Sequence, residues 1–247
     1  MKYTFVDTID SGVGQGQYLK NFAEFEEETP WADPLLKLFF RFATVKYHQN
    51  ESTSALDNIS RSLAGVALIL LAPVFAVIAI AIKLSMPGKV FYLQTRVGHK
   101  GRLFKVIKFR TMVENAETQT GHTLSWEGDP RVTRLGNFLR KSHLDELPQL
   151  INVLMGDMCF IGPRPERPEF TKDYEATVRG YNERHIVKPG ITGLAQLACK
   201  YDATASQKLK FDLMYIAVKD SIMLNTLISL YTVRKMIFFR NKIELLK

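Results

Sequence analysis

Residues 63–82 read Leu-Ala-Gly-Val-Ala-Leu-Ile-Leu-Leu-Ala-Pro-Val-Phe-Ala-Val-Ile-Ala-Ile-Ala-Ile. They hold no charged side chain, and a proline, Pro73, stands near the midpoint. A bilayer core about 30 Å thick takes roughly 20 apolar residues of helix. The stretch therefore has the length and composition of a membrane segment. Pro73 removes one backbone donor and bends a helix. Two paths are open: the segment crosses with a kink, or it enters, turns and leaves on the same side. A buried core helix of a soluble protein is the remaining alternative. Core helices of this length usually keep a polar face, and this stretch has none.

Around this segment the 247-residue chain has room for one good-sized domain plus an anchor, or for two small domains. The formal net charge is +8. Residues 1–60 carry five Lys/Arg and nine Asp/Glu, so the remainder carries +12. A basic body beside a membrane segment points to anionic headgroups or a phosphorylated substrate. Zinc spacing, a recognition-helix signature and an RNA-binding aromatic motif are all absent from the sequence, so no nucleic-acid partner is expected. Cys159 and Cys199 are too few for a disulfide framework and form no Cys-x-x-Cys pair, which fits a reducing compartment. Glu26-Glu27-Glu28 interrupts the first 50 residues, and no cleavable signal peptide is expected.

Gly12, Gly14 and Gly16 alternate in a polar, acidic arm, without the flanking strand and helix that a phosphate loop needs. Residues 34–47, rich in aromatic and basic side chains, read as a short helix that lies in the headgroup layer or packs on the body. Residues 89–97 and 103–112 alternate in part around Gly98-His99-Lys100-Gly101, the pattern of a β-hairpin with a four- or five-residue loop. Residues 131–141 form a basic amphipathic stretch, and residues 147–155 have helical apolar spacing ended by Gly156, a C-cap signal. Pro163, Pro165 and Pro168 mark an extended loop. Helices are expected over 170–183, 205–219 and 221–240, the last basic and apolar enough to dip into lipid.

The cluster Arg140-Lys141-Ser142-His143-Leu144-Asp145-Glu146-Leu147-Pro148 carries the most chemistry. Pro148 is best placed in the first turn of a helix, which puts Asp145 at or near its N-cap, beside free N–H groups. Two adjacent carboxylates raise the pKa of one of them, which magnesium or arginines would relieve. An ordinary acidic helix start gives the same pattern. In Pro163-Arg164-Pro165, the prolines stiffen the backbone under a guanidinium, which suits bidentate phosphate binding or a structural salt bridge. Lys108-Phe109-Arg110 adds two cations near a strand end.

Seven motifs occur in order: Pro87-Gly88-Lys89-Val90-Phe91-Tyr92, Arg96-Val97-Gly98, Lys108-Phe109-Arg110-Thr111-Met112, Asp129-Pro130-Arg131-Val132-Thr133, Leu144-Asp145-Glu146-Leu147-Pro148-Gln149, Phe160-Ile161-Gly162-Pro163-Arg164-Pro165 and Lys188-Pro189-Gly190-Ile191-Thr192-Gly193. Together, over about residues 56–235, they closely resemble the bacterial sugar transferase family of monotopic polyprenyl-phosphate phosphoglycosyl transferases. The resemblance implies an α+β, helix-rich monotopic membrane protein with a re-entrant, proline-broken anchor helix and a small β-hairpin. It divides the chain into an acidic arm at 1–55, the anchor at 56–86 and a cytoplasmic catalytic domain at 87–247 with C-terminal interfacial helices. It implies Asp145 as nucleophile and metal ligand, Glu146 as its dyad partner, and Arg140, Arg164, Lys108, Arg110 and Asp212 as substrate-binding groups. Mg2+ is the implied cofactor.

The implied reaction moves a sugar-1-phosphate from a UDP-sugar to polyprenyl (undecaprenyl) phosphate through a covalent intermediate, releasing UMP. It takes place at the cytoplasmic face of a bacterial inner membrane, among membrane lipids, at the start of exopolysaccharide or glycan synthesis. A homo-oligomer is compatible with the sequence, which does not name the sugar. A catalytically decayed scaffold of a polysaccharide assembly complex is the alternative. Two departures from the family pattern stand out. Ala72-Pro73 replaces the frequent Ser-Pro at the anchor break, and Asn225 stands where a second carboxylate tends to follow Asp212-x-x-Tyr215.

Overall fold

The structure is a computed structural model. It describes residues 54–114, 116, 126, 128–199 and 203–244. The glycine-alternating arm and the helix expected over 34–47 lie outside the described residues.

The apolar stretch forms the centre of α1 (Ser54–Ser85), a helix of 32 residues, about 48 Å long at 1.5 Å per residue. Among the described residues it alone is long and apolar enough to cross a membrane. Pro73 sits inside one continuous helix, so the expected break does not interrupt the element. A proline removes one hydrogen bond, and the ladder on either side is long enough to persist.

One stripe of α1 is covered. Asp57, Ser60, Ala64, Leu68, Leu71, Phe75, Ile78 and Ile82 are buried or half-buried and recur every three or four residues. The opposite stripe is open: Ile69 is 75% exposed and Leu70 is 72% exposed, with Leu63, Val66, Val77, Ile80 and Leu84 beside them. Burying a large aliphatic side chain is worth about 1.5–3 kcal/mol, so this row gains on the order of 10–20 kcal/mol in a lipid environment.

Both ends of α1 rest on the same body. At its start Asp57 pairs with Lys188 at 2.7 Å, and Arg61 Nε donates to the Leu154 carbonyl at 2.9 Å. Ala64 packs with Val106, Val153 and Met158. At its end Ile78, Ile82 and Met86 form a core with Phe109 and Leu139. Phe75 and Phe91 each contact the Phe109 ring, at 5.3 and 5.4 Å.

The hairpin forms as the alternation indicates. Strands β1 (Phe91–Val97) and β2 (Leu103–Phe109) pair antiparallel, with Phe91 opposite Phe109 and Val97 opposite Leu103. The five-residue connection turns at Lys100 and Gly101, both at positive φ. Helix α2 (Arg134–Lys141) is capped by the Thr133 side chain, which accepts from Gly136 N. A tight turn at Leu144–Glu146 leads into α3 (Gln149–Met155), which ends at Gly156 with φ 88, as the sequence indicates.

Strand β3 (Cys159–Ile161) pairs parallel with β4 (Gly190–Thr192), a second small sheet. Helix α4 (Pro168–Thr177) is shorter than the 170–183 expected. Gly180, at φ 75, turns the chain into a separate tight helix, Tyr181–Ile186. A short α5 (Leu194–Ala198) follows. Helix α6 (Ala205–Val218) opens on a Thr204–Gln207 capping box, and α7 (Ile222–Glu244) runs close to the expected span. The largest buried cluster joins Tyr181, Leu194 and Ala198 to Leu209, Leu213, Ile216, Leu224 and Ile228. The molecule is thus helix-rich with two-stranded sheets, and the site forms between the hairpin, the Leu144–Glu146 turn and the Pro163–Pro165 loop.

Candidate active site

Asp145 and Glu146 lie in the tight turn between α2 and α3, entered through His143 in the left-handed region at φ 56. Asp145 does not cap a helix, contrary to the sequence expectation. The cap position of α3 is Pro148, and the Asp145 segment is drawn into its own turn by Glu146 N–His143 O and Leu147 N–Leu144 O hydrogen bonds. The helix dipole is therefore not what sets the Asp145 environment.

Asn152 brings the turn to the hairpin. It is fully buried on α3, accepts from Ile107 N at 3.0 Å and donates to Lys105 O at 2.8 Å. Its amide thus acts as a neighbouring strand for β2 and fixes α3 against it. The next inward residue of β2, Lys108, then reaches Glu146, with Nζ 2.6 Å from Oε1. Arg164 reaches the same carboxylate from the proline loop, with Nη2 2.6 Å from Oε1. Arg140 Nε donates to Thr111 Oγ1 at 2.8 Å.

The two carboxylates are driven apart electrostatically. Burial pushes Glu146 up, but the Arg164 and Lys108 charges outweigh it and hold this carboxyl well below the usual range. Asp145 is 8% exposed and accepts no hydrogen bond among the described residues. Burial first, and the Glu146 charge second, raise it to about 6, against the pull of Lys108, Arg140 and Arg164. Burial lowers Lys108, with Glu146 opposing. The result is one ionised carboxylate, Glu146, clamped by two cations, beside a second buried carboxyl, Asp145, that accepts no hydrogen bond among the described residues.

Four of the expected site residues therefore converge on Asp145: Glu146, Lys108, Arg140 and Arg164. Two do not. Arg110 is buried and its Nη2 donates to the carbonyls of Met86 and Pro87, both at 2.7 Å. These carbonyls follow the C-terminus of α1, where helices leave acceptors without partners. Asp212 is 2% exposed and pairs with Arg184, which sequence reasoning missed, at 2.7 Å. It has no contact with the carboxylate pair. Asn152 was also missed: a polar residue in an apolar helix, Asn152 between Ile151 and Val153, was its only signal.

Asn225 is not at the site either. Its Nδ2 donates to Lys219 O at 2.7 Å, closing the end of α6, and its Oδ1 lies 3.4 Å from Tyr215 Oη. Cys159 is inert as a nucleophile: burial first, with Asp57 adding, pushes its thiol up to about 12. Both cysteines are free. Among the described residues no three His, Cys, Asp or Glu side chains gather to hold a metal.

The chain is similar to several named proteins. A relative named UDP-N-acetylgalactosamine-undecaprenyl-phosphate N-acetylgalactosaminephosphotransferase, from Aeromonas hydrophila, is 42% identical over 199 residues, covering 76% of this chain and 47% of the relative. The UDP-glucose:undecaprenyl-phosphate glucose-1-phosphate transferase of Escherichia coli K12 is 47% identical over 161 residues, covering 62% of this chain and 34% of the relative. The exopolysaccharide production protein ExoY of Sinorhizobium fredii is 34% identical over 203 residues, covering 73% of this chain and 88% of the relative. The chain thus spans less than half the length of the first two. The family model described as Bacterial sugar transferase matches residues 53–239. With the carboxylate pair, its cations and the apolar helix all inside that span, the chain belongs to the bacterial sugar transferase family.

Proposed function

We propose that the protein transfers a sugar-1-phosphate from a UDP-sugar to undecaprenyl phosphate, releasing UMP. One observation carries the reading: a buried carboxylate, Asp145, that accepts no hydrogen bond among the described residues, set beside a carboxylate that gathers two cations. Ionised Asp145 attacks the sugar-proximal phosphorus. A bond forms from its oxygen to phosphorus, and the bond from phosphorus to the bridging oxygen breaks, so UMP leaves with the electron pair. A phosphate oxygen of the lipid then attacks the same phosphorus and restores the carboxylate. Splitting the transfer in two is the usual gain of covalent catalysis. Lys108, Arg140 and Arg164 neutralise phosphoryl charge, and Glu146 holds Lys108 and Arg164 in place.

The raised Asp145 fits a divalent cation beside it, since added positive charge relieves the burial and repulsion that raise it. Asp145 would hold Mg2+ with substrate oxygens and water supplying the other positions, and the ion would add charge neutralisation at the phosphates.

The anchor reading is re-entrant insertion of the continuous α1 from the cytoplasmic face of a bacterial inner membrane, with its bend at Pro73. Its support is that Asp57, Arg61 and Ala64 at one end of α1 and Ile78, Ile82 and Met86 at the other all bind the same body. The row of open aliphatic side chains would then enter the bilayer, and the lipid phosphate would sit at the headgroup plane near the site. The last helix, α7, would lie in the interface.

The test is UMP release from UDP-glucose and UDP-N-acetylgalactosamine with undecaprenyl phosphate present. Asp145→Asn should abolish both release and the trapped phosphosugar adduct. Near-normal turnover in that variant would remove Asp145 as nucleophile. A scaffold releases no UMP even as wild type. External labelling of single cysteines at 62 and 83 in intact cells should leave both unmodified; a labelled position 62 would mean a spanning helix.

A further inference from the structure

The loop that presents Arg164 is held by its carbonyls. Pro163 and Pro165 have no N–H, so the segment has few donors to offer a neighbouring strand. Instead, four successive carbonyls each accept one bond. Pro163 O takes Gly190 N at 3.0 Å, Arg164 O takes Arg184 Nη2 at 2.9 Å, Pro165 O takes Arg96 Nη1 at 3.0 Å, and Glu166 O takes Val97 N at 2.9 Å. Two of the four donors are guanidinium groups from distant parts of the chain.

Besides the Arg164 carbonyl, two acceptors orient Arg184. Nε lies 2.9 Å from Asp212 Oδ2, Nη2 lies 2.7 Å from the same oxygen, and Nη1 donates to Tyr181 Oη at 2.7 Å. The group is 4% exposed, Asp212 2% and Tyr181 3%. A buried cation of this kind needs its paired charge, which Asp212 on α6 supplies. Arg96 is fixed by Gln94 Oε1, at 3.1 and 2.6 Å, and by Glu166 at 3.6 Å. A planar fork with several fixed partners has little freedom left. The peptide of Arg164 is therefore set from below by Arg184, and the next peptide by Arg96.

We infer that Arg184 and Arg96 are positioning residues for Arg164, and that Asp212 acts on the reaction through Arg184 without touching substrate. This rests on the transferase reading for what Arg164 binds. Displacing a phosphate-binding guanidinium by about 1 Å is enough to slow transfer roughly a hundredfold.

The test is a double-mutant cycle with Arg164→Ala, read as kcat and KM for UMP release and as UMP affinity by calorimetry, which needs no turnover. Arg184→Lys keeps the charge beside Asp212 but cannot fork to Tyr181 and the Arg164 carbonyl together. It should lower kcat/KM roughly ten- to hundredfold in the wild-type background. In the Arg164→Ala background it should cost less than about threefold, because nothing remains to position. Its effect on thermal unfolding should be the same in both backgrounds. Equal losses of activity in the two backgrounds would show a general role in folding and overturn the inference, as would full activity of Arg184→Lys. Arg96→Gln, at a partly exposed site, gives the same cycle if Arg184→Lys does not fold. A wild type that binds UMP but releases none sinks the transferase reading, and the cycle on UMP affinity then decides the positioning roles by itself.

Discussion

Replacing Asp145 by asparagine should destroy activity and make the protein more stable. Asp145 is buried, accepts no hydrogen bond among the described residues and adjoins an ionised Glu146. Its pKa rises from the ordinary 3.8 to about 6. That difference, at about 1.4 kcal/mol per pH unit, means that ionised Asp145 costs the fold about 3 kcal/mol. The direction follows from which state holds the proton more tightly. The folded state does, so the cost is absent below the unfolded pKa, grows as pH rises, and is complete above about 6. An asparagine resembles the protonated acid and removes it. In chemical denaturation of detergent-solubilised protein, Asp145→Asn should gain up to about 3 kcal/mol at pH 7.5, and the gain should fall towards zero near pH 3.5. A variant less stable than wild type at pH 7.5, or a gain that does not shrink in acid, would show that the carboxylate is not strained as the geometry indicates. Such strain is expected of a nucleophile, since an environment that satisfied the carboxylate would also quench its attack.

Other consequences concern the neighbours. Glu146→Gln removes the negative charge that helps to raise Asp145 while Lys108, Arg140 and Arg164 stay, so the acid limb of kcat/KM should move below its wild-type position near pH 6, even as the maximum falls. An unmoved limb would disconnect the two carboxylates. Asn225→Asp, which restores the residue type expected from the family, loses the donor to Lys219 O and sets two acceptors against each other. It should cost about 1–3 kcal/mol in unfolding measurements and bring no gain in turnover. Gly136→Ala would drive a methyl group into the Thr111 carbonyl oxygen, so α2 must shift away from the strand end. A loss of about 1–3 kcal/mol is expected. Because Arg140 on α2 is bonded to the Thr111 side chain, transfer should weaken with it.

Local pattern made much of this molecule legible. The charge-free stretch gave α1, the alternation around Gly98 gave the hairpin, and Gly156 ended α3 as its backbone freedom requires. Motif order indicated that Asp145, Glu146, Lys108, Arg140 and Arg164 belong together. What stayed hidden was set by partners far away in sequence. The β3–β4 pairing joins two three-residue strands, too short for any alternation to register. The Asn152 amide does the work of a strand, across 45 positions from Ile107.

The arginines show the limit most clearly. A guanidinium near a strand end invites a phosphate assignment, and Arg110 received one. Yet among the described residues Arg61 spends a donor on the carbonyl of Leu154, Arg96 on that of Pro165, Arg110 on those of Met86 and Pro87, and Arg184 on that of Arg164. Several of those carbonyls sit where a helix ends or where proline interrupts pairing, and a buried acceptor left alone there is costly. Composition cannot separate these arginines from one aimed at a ligand, because the demand comes from a carbonyl elsewhere in the chain. Arg164 differs in its partner: its guanidinium meets Glu146, the neighbour of Asp145, whereas Arg96 meets Glu166 and Arg184 meets Asp212. On the proposed reading, holding Arg164 with two arginines that face the backbone gains orientation at a buried site without adding a further group that competes for the substrate.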